Sequence, residues 1–132
     1  MNEHSFIRSV HRLLPSEVYR WKISDKYTNG VPDVYYEGTK GILWIEYKYL
    51  KTLPKKDTTS IKSGLSELQT QWLNRAIKHG QPAAVVIGHE GTCNILNNKQ
   101  WTVPLNKQQY IQQAVNVRCL IQYIIQQTVN GG

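Results

Sequence analysis

Two acidic residues lie in strand-like sequence on either side of a short glycine-containing connector, and this arrangement constrains the fold more than any other feature. The runs Val34–Tyr36 and Ile42–Ile45 are rich in β-branched and aromatic residues, and two glycines lie between them. This pattern predicts an antiparallel β-hairpin. A turn centred on residues 39 and 40 then places Asp33 opposite Glu46, as cross-strand neighbours.

The two-residue period of a β-strand decides which side chains share a face of this hairpin. Lys48 lies on the same face as Glu46, whereas Ile45 and Tyr47 point the other way. With Asp33 opposite Glu46, that face carries two carboxylates and one ammonium group. The sequence thus predicts a charged cluster on an otherwise apolar hairpin.

The cluster has a chemical consequence. Two neighbouring carboxylates repel each other and a buried unpaired charge is costly, so the cluster requires a cation or a shifted pKa. Carboxylate oxygens suit Mg²⁺, which commonly binds through one or two carboxylates together with phosphate oxygens of a substrate. A neighbouring lysine can hold the attacking water and offset charge that develops on the phosphate. We therefore expect phosphodiester hydrolysis with Mg²⁺ as cofactor, and we expect Mn²⁺ to substitute for it.

The spacing of these residues resembles a known motif. Pro32-Asp33, twelve intervening residues and Glu46-Tyr47-Lys48 are similar to the signature of the PD-(D/E)XK nuclease superfamily. The stretch 64–73, followed by 83–87, is similar to the helix and strand after that motif in VRR-NUC and Holliday-junction-resolvase-like members. The resemblance spans about residues 3 to 88 and implies a restriction-endonuclease-like core.

The resemblance also implies a role for each matching residue. The two acids of the motif correspond to metal ligands, and the lysine corresponds to the group that holds the nucleophilic water. Such members place a glutamine near the metal on the following helix, and an N-terminal helix often adds one more acid. The expected metal ligands are Asp33, Glu46, the Tyr47 carbonyl and Glu3, and the expected catalytic residues are Asp33, Glu46, Lys48 and Gln69.

Structural explanations of the same residues stay open. Asp33 and Glu46 could face solvent with Lys48 as a surface partner, and such ion pairs contribute about 0 to 1 kcal/mol. The run from Ser66 to Gln69 is typical of a capping box, in which the glutamine satisfies a backbone amide of its own helix. Glu3 could simply favour the start of a helix through the macrodipole.

Basic residues concentrate next to the predicted site. Sixteen Lys and Arg against nine Asp and Glu give a formal net charge of +7. A basic rim attracts polyanions and makes their binding dependent on salt, so DNA is the expected partner. The expected DNA contacts are Lys51, Lys55, Lys56 and Lys62, which follow the second strand of the hairpin. The alternative is that these lysines only keep a mobile loop in solution.

Length and composition set the outer bounds. At 132 residues the chain fits a single nuclease domain over 1–132, with a core at about 3–96 and a C-terminal elaboration at about 97–132. No stretch approaches the roughly 20 apolar residues that cross a bilayer, and the N-terminus lacks the apolar core of a signal peptide. We expect a cytoplasmic protein without membrane contact, in the host cytoplasm if it is viral. The two cysteines lack C-x-x-C spacing and indicate neither a zinc site nor a disulfide framework.

The periodicity predicts an α/β fold with a central mixed β-sheet flanked by helices, plus a C-terminal helix. Besides the hairpin, helices are predicted over 5–14, 67–78 and 107–129, and strands over 17–23, 83–87 and 92–96. Glu17 is a weaker metal candidate than Glu3, because it starts a strand. The apolar stripe of the last helix either packs against its own domain or forms the seam of a homodimer.

Three functions are compatible with these residues. The leading one is a metal-dependent DNA endonuclease that acts on branched DNA or Holliday junctions; small stand-alone members of the resembled group are frequent in phages. The second is a homing or restriction-type endonuclease that reads sequence, although no base-reading module is recognisable. The third is a non-catalytic basic protein that binds nucleic acid, against which the intact Asp33, Glu46 and Lys48 argue.

Overall fold

The chain folds around a six-stranded mixed β-sheet with helices on both faces. The structure is a computed structural model and describes residues 1–23, 29–61 and 63–130. The helices are α1 Glu3–Leu13, α2 Glu67–Lys78, α3 Lys107–Gln113 and α4 Val117–Thr128, with a 3-10 turn at Gln100–Thr102. The strands are β1 Tyr19–Lys22, β2 Val34–Glu37, β3 Ile42–Tyr49, β4 Ser60–Ile61, β5 Ala83–His89, β6 Thr92–Asn97, β7 Leu105–Asn106 and β8 Val115–Asn116. The order in the large sheet is β1-β2-β3-β5-β6-β8, and β4 pairs with β7 separately.

The predicted hairpin is formed by β2 and β3. Its antiparallel register runs from Val34 opposite Ile45 to Glu37 opposite Ile42. One further step in the same register places Asp33 opposite Glu46, so the predicted register is confirmed. On its other edge β3 pairs in parallel with β5, which puts β3 in the interior of the sheet.

The two faces of β3 have different neighbours. Ile45 and Tyr47 belong to an apolar cluster with residues of α1 and α4, and we call this side the α1/α4 face. Trp44 packs against the cluster that contains residues of α2, and we call this side the α2 face. Because side chains alternate along a strand, Glu46 and Lys48 lie on the α2 face with Trp44.

The predicted element boundaries agree best for helix α2. Helix α2 occupies the predicted range, after the Ser66 cap and before Gly80, whose φ is +77°. Helix α1 begins two residues earlier than predicted, because the Asn2 side chain accepts a hydrogen bond from the Ser5 amide. Strand β1 covers only the middle of the predicted range 17–23.

The predicted continuous helix over 107–129 is wrong. Helix α3 ends at Gln113, and Val115 and Asn116 then pair with β6 as strand β8. Helix α4 starts at Val117, where the Asn116 side chain accepts a hydrogen bond from the Cys119 amide at 3.0 Å. The chain therefore leaves the helical conformation for three residues at the edge of the sheet.

The interruption has a packing reason. Tyr110 of α3 is buried on the α2 face, whereas Leu120 and Ile124 of α4 are buried on the α1/α4 face. The apolar residues of this stretch thus pack on both faces of the sheet, and one straight helix could not reach both. The stripe of α4 packs against its own domain, as one of the two alternatives stated. Within the described ranges, no helix combines the length and apolar character needed to cross a membrane.

Candidate active site

Glu46 is the one charged side chain that is buried within the described residues, with 3% of its surface exposed. Its Oε2 accepts a hydrogen bond from Gln69 Nε2 at 3.0 Å and lies 3.3 Å from Lys48 Nζ. Its Oε1 has no hydrogen-bond partner among the described residues. One oxygen of the carboxylate is therefore held by the protein, and the other is free for a further ligand.

Gln69 connects α2 with the charged side chains of β3. Its backbone N–H donates to Ser66 Oγ at 3.1 Å, and its Oε1 accepts from the Ser66 N–H at 2.9 Å. The same Oε1 lies 3.3 Å from Lys48 Nζ, and Nε2 donates to Glu46. The capping box and the contact with the site therefore exist together. Because the cap fixes the amide oxygen, the amide nitrogen is directed at β3.

Asp33 is fixed beside β3 through both its side chain and its backbone. Its Oδ2 accepts a hydrogen bond from the Tyr47 N–H at 2.9 Å, and its carbonyl accepts one from the Ile23 N–H at 2.8 Å. Burial raises the pKa of Asp33, whereas the Tyr47 amide and the Lys48 charge lower it. The Asp33 side chain thus accepts a hydrogen bond from the Tyr47 N–H that a backbone carbonyl of a neighbouring strand would otherwise accept. It does so at the residue just before β2 begins.

The Tyr47 carbonyl is directed to the same edge of β3 as Asp33. The N–H groups of Trp44 and Leu50 donate to carbonyls on the β5 side. Backbone groups alternate along a strand, so Tyr47 directs both its N–H and its C=O away from β5, towards the side of β2. Its N–H meets Asp33 there, and its carbonyl supplies a further oxygen on that edge.

The carboxylates of Glu3, Asp33 and Glu46 all have a raised pKa, and burial is the largest cause for each of them. The pKa of Glu46 is raised to about 7, mainly by burial and then by the charge of Asp33. The pKa of Glu3, which is half-buried at the start of α1, is also raised by burial and by Asp33. Lys48 lowers the pKa of all three, but burial prevails. Glu17, the weaker sequence candidate, is exposed. A cation at this place would relieve the repulsion.

The donor groups fit a hard divalent cation. Carboxylate and carbonyl oxygens are the ligands that Mg²⁺ takes, and the buried Glu46 Oε1 lacks any other partner among the described residues. Within the residues that the structure describes, no three His, Cys, Asp or Glu side chains come close enough together to hold a metal ion by themselves. Glu3 as a ligand therefore stays a prediction. Water and substrate oxygens commonly complete the shell of Mg²⁺.

The predicted DNA-binding lysines follow β3 on a segment that is tied to α3. The lysines described there, all exposed, are Lys51, Lys55 and Lys56; Lys62 lies outside the described residues. The Lys107 N–H donates to the Thr59 carbonyl at 3.2 Å, and Lys107 Nζ lies 3.9 Å from Asp57 Oδ1. The segment is therefore anchored to the domain, and its contact with DNA stays a prediction.

Gly30 is a positioning residue that the sequence argument missed. Its φ is +91°, and a Cβ at this position would lie 2.6 Å from the Leu68 carbonyl oxygen. Glycine alone permits this approach of the loop before Asp33 to the first turn of α2, beside Gln69. The run Gly30-Val31-Pro32-Asp33 was the available signal, because a glycine in or beside a strand often marks the close approach of another backbone.

Comparison with known proteins shows the fold. A solved structure of Hjc, a Holliday junction resolvase from the archaeal hyperthermophile Archaeoglobus fulgidus, superimposes with a TM-score of 0.56 at 13% sequence identity. The match covers 92% of this chain and 97% of that chain. No protein-family model matches the sequence, and no curated protein matches it. The expected α/β fold, with a central mixed sheet flanked by helices and a restriction-endonuclease-like core, is thereby confirmed.

Proposed function

We propose that this chain is a divalent-metal-dependent nuclease that hydrolyses phosphodiester bonds in branched DNA. The observation that carries the proposal is the buried carboxylate of Glu46, whose Oε1 is without a partner among the described residues while Oε2 is held by Gln69 and Lys48. Asp33 lies opposite on the neighbouring strand. A carboxylate with one free, buried oxygen next to a second acid and an ammonium group is suited to metal-assisted phosphate chemistry.

The choice of branched DNA rests on the structural neighbour. The Archaeoglobus fulgidus protein of the same fold is a Holliday junction resolvase, and the net charge of +7 suits a polyanionic partner. The exposed Lys51, Lys55 and Lys56, together with Lys62, are the proposed contacts to the DNA backbone. Such contacts to phosphate would not depend on the DNA sequence, and they would weaken as the salt concentration rises.

Each residue of the cluster has a separate role in the proposed reaction. Asp33, Glu46 and the Tyr47 carbonyl would hold Mg²⁺ or Mn²⁺, with Glu3 as the candidate for one more ligand. When bound, the cation would polarise a phosphate oxygen and lower the pKa of a bound water. The carboxylates would also accept hydrogen bonds from that water and so orient it.

Lys48 and Gln69 supply orientation and positive charge. Lys48 Nζ lies 3.3 Å from both Glu46 Oε2 and Gln69 Oε1, and 23% of its side chain stays exposed. Its ammonium group can therefore donate to an incoming water or phosphate oxygen and offset the charge that develops during the attack. Gln69 holds Glu46 Oε2, which leaves Oε1 for the cation.

The test is cleavage of labelled four-way junction, flap, linear duplex and single-stranded DNA with Mg²⁺, Mn²⁺ or EDTA. We expect metal-dependent cutting of the branched substrates and no cutting in EDTA. Glu46→Gln removes the charge at constant size and should abolish cutting, and the exposed Glu17→Gln is the matched control that should cut like the wild type.

The other outcomes separate the alternatives. Cutting of linear duplex at discrete sites would show that the chain is a sequence-reading nuclease and not one that acts on branched DNA. Binding of DNA without any cutting would leave a non-catalytic binding protein. Lys48→Ala should lose cutting but keep Mg²⁺ binding, so loss of the metal in that variant would show that Lys48 has a structural role instead.

A further inference from the structure

A row of aromatic side chains crosses the α2 face beside the candidate site, and we call it the aromatic row. Its members are Trp21 on β1, Tyr35 on β2, Trp44 on β3 and Trp72 on α2. The ring centroids are 6.5 Å apart between Trp21 and Tyr35, 4.8 Å between Tyr35 and Trp44, and 5.0 Å between Trp44 and Trp72. Each ring therefore contacts the next across three strands and one helix.

The aromatic row is continuous with the charged cluster. Tyr35 follows Asp33 by two residues, and Trp44 precedes Glu46 by two residues, so each aromatic ring shares a strand face with one acid. Tyr35 and Trp44 are also direct cross-strand partners, as Asp33 and Glu46 are one step further on. A strand of nucleic acid that reaches the acids from this side would pass the rings.

The row becomes more exposed with distance from α2. Trp44 and Trp72 are half-buried, whereas Trp21 is 54% exposed and Tyr19, on the same face of β1, is 56% exposed. On this face helix α2 packs against β5, whereas the helix that packs against β2 is α4, on the α1/α4 face. Large aromatic surface left open to solvent is typical of a binding surface.

Packing among the rings explains only part of this arrangement. The tilted contact of Tyr35 with Trp44 and the edge-to-face contact of Trp44 with Trp72 stabilise the hairpin against α2. They do not account for the exposed surface of Trp21. They also leave Trp44 Nε1 buried without a hydrogen-bond partner among the described residues.

The polar groups around the row suit a nucleotide. The Arg75 guanidinium lies 5.6 Å from the centre of the Trp72 ring and is exposed. A depression of about 260 Å³ beside it is lined by these two residues together with Asn29, Leu68 and Gln71. Arginine can bind phosphate, and the two amides can hydrogen-bond to base edges. Besides the acids of the charged cluster, Glu37 is a negative group next to the row, and it accepts a hydrogen bond from the Tyr35 hydroxyl at 2.6 Å.

We propose that the aromatic row is a stacking platform for unpaired bases of the strand that enters the active site. Aromatic side chains stack on every base regardless of sequence, and a neighbouring arginine adds a cation–π contribution. The inference rests on the proposed nuclease function and narrows its substrate class. The preferred substrate is DNA with a single-stranded segment next to the cut, such as a flap or an opened junction, over closed duplex.

The first experiment uses the natural protein in EDTA, so that nothing is cleaved. Three of the four tryptophans lie in the row, and the fourth, Trp101, is 4% exposed elsewhere. An oligothymidylate that stacks on the row should therefore quench the intrinsic tryptophan fluorescence, and a blunt duplex of equal length should quench it much less. Binding of the single strand, seen by anisotropy, without quenching would overturn the proposal.

The second experiment compares variants by anisotropy with a labelled single strand and its blunt duplex in EDTA. Trp21→Ala should lower the ratio of single-strand to duplex affinity about 5-fold or more, and Trp21→Phe should restore most of it. Ile111→Ala, at a side chain 55% exposed on α3, is the control that should leave the ratio unchanged. An unchanged ratio in folded Trp21→Ala would overturn the proposal.

These measurements separate the two proposals. If the wild type shows quenching and the Trp21→Ala loss but cuts nothing in Mg²⁺, the platform stands and the nuclease function falls. If Trp21→Ala cuts flaps and closed duplex with the wild-type preference, the nuclease function stands and the platform falls.

Discussion

The two faces of strand β3 differ in whether their buried polar groups have hydrogen-bond partners. On the α1/α4 face the hydroxyls of Tyr36 and Tyr47 are hydrogen-bonded to each other at 2.6 Å, and Tyr36 is also bonded to His11 Nε2 at 2.8 Å. On the α2 face lie the two buried side-chain atoms that lack a partner among the described residues, Trp44 Nε1 and Glu46 Oε1. The same eight residues of backbone carry both faces.

This contrast suggests that one face of the sheet contributes mainly to stability and the other to the proposed chemistry. The α1/α4 face satisfies its polar groups inside an apolar cluster, which is what a stable core requires. The α2 face keeps a carboxylate in a buried position that raises its pKa to about 7, and this arrangement is unfavourable for folding. We infer that the α2 face retains the acid for its chemistry, while the α1/α4 face supplies the stability that makes this possible.

The largest effect should be the loss of cleavage when an acid of the α2 face is neutralised. Asp33→Asn keeps an oxygen that can accept from the Tyr47 amide but removes the charge that would hold the cation. We expect the single-turnover cleavage rate to fall by about 10³-fold or more, on the order of 4 kcal/mol. DNA affinity in EDTA should stay the same or increase, because repulsion of phosphate is reduced. Glu17→Gln, at an exposed carboxylate, is the control that should keep the rate.

The next effect concerns the stability of the α1/α4 face. Ile124 of α4 is fully buried, and truncation to alanine should lower the free energy of unfolding by about 2 to 5 kcal/mol. Ile111→Ala on the exposed side of α3 should change it by less than about 0.5 kcal/mol. Urea denaturation measures both. Equal losses in the two variants would show that α4 is not an integral part of the core.

A smaller effect of opposite sign is expected at Glu46. Its folded pKa of about 7 lies above the ordinary value of 4.5, so between these pH values the native state binds more protons than the unfolded chain. The free energy of unfolding of the metal-free protein should therefore fall as the pH rises from about 4.5 to about 7. Glu46→Gln should lose most of this slope and be more stable than the wild type at pH 8, by on the order of 2 kcal/mol.

The control for this prediction is Glu17→Gln, because Glu17 is exposed. That variant should keep the wild-type dependence of stability on pH. Thermal and urea unfolding in EDTA at several pH values provide the comparison. A Glu46→Gln protein that is less stable than the wild type at pH 8 would show that the carboxylate stabilises the fold.

An effect of comparable size tests the hydrogen bonds of the α1/α4 face. Tyr36→Phe removes the hydroxyl between His11 and Tyr47 and leaves both groups without their partner, which should cost about 1 to 3 kcal/mol. Tyr35→Phe, on the opposite face of the same strand, removes only the bond to the exposed Glu37 and should cost less than about 0.5 kcal/mol. Urea denaturation measures both losses of unfolding free energy. Equal losses in the two variants would contradict the proposed difference between the two faces.

Much of the fold and of the site was predictable, because local chemistry determines it. The β2–β3 register follows from the turn position, and α2 has a serine cap and a glycine stop that fix its ends. The spacing of Asp33, Glu46 and Lys48 then follows from strand geometry. The contact of Gln69 with Glu46 was expected only from the family resemblance, because a capping box by itself does not say where the amide nitrogen points.

The remaining features depend on long-range packing that periodicity does not encode. The apolar stripe over 107–129 predicted one helix, but its members serve opposite faces of the sheet, and Asn116 starts a new helix between them. The approach of Gly30 to α2 and the edge-to-face contact of Trp21 with Tyr35 were likewise not predictable from the sequence pattern. Each joins elements whose relative positions only the folded chain defines.

The central claim is that the α2 face holds its carboxylates for a divalent cation, and thermal unfolding at pH 8 tests it most directly. The midpoint should be measured with EDTA and with rising Mg²⁺ for the wild type, Glu46→Gln and Glu17→Gln. We predict that Mg²⁺ raises the midpoint of the wild type and of Glu17→Gln, because a ligand that binds only the folded state stabilises it. Glu46→Gln should show no such rise. A rise of the same size in Glu46→Gln, or none in the wild type, would contradict the claim.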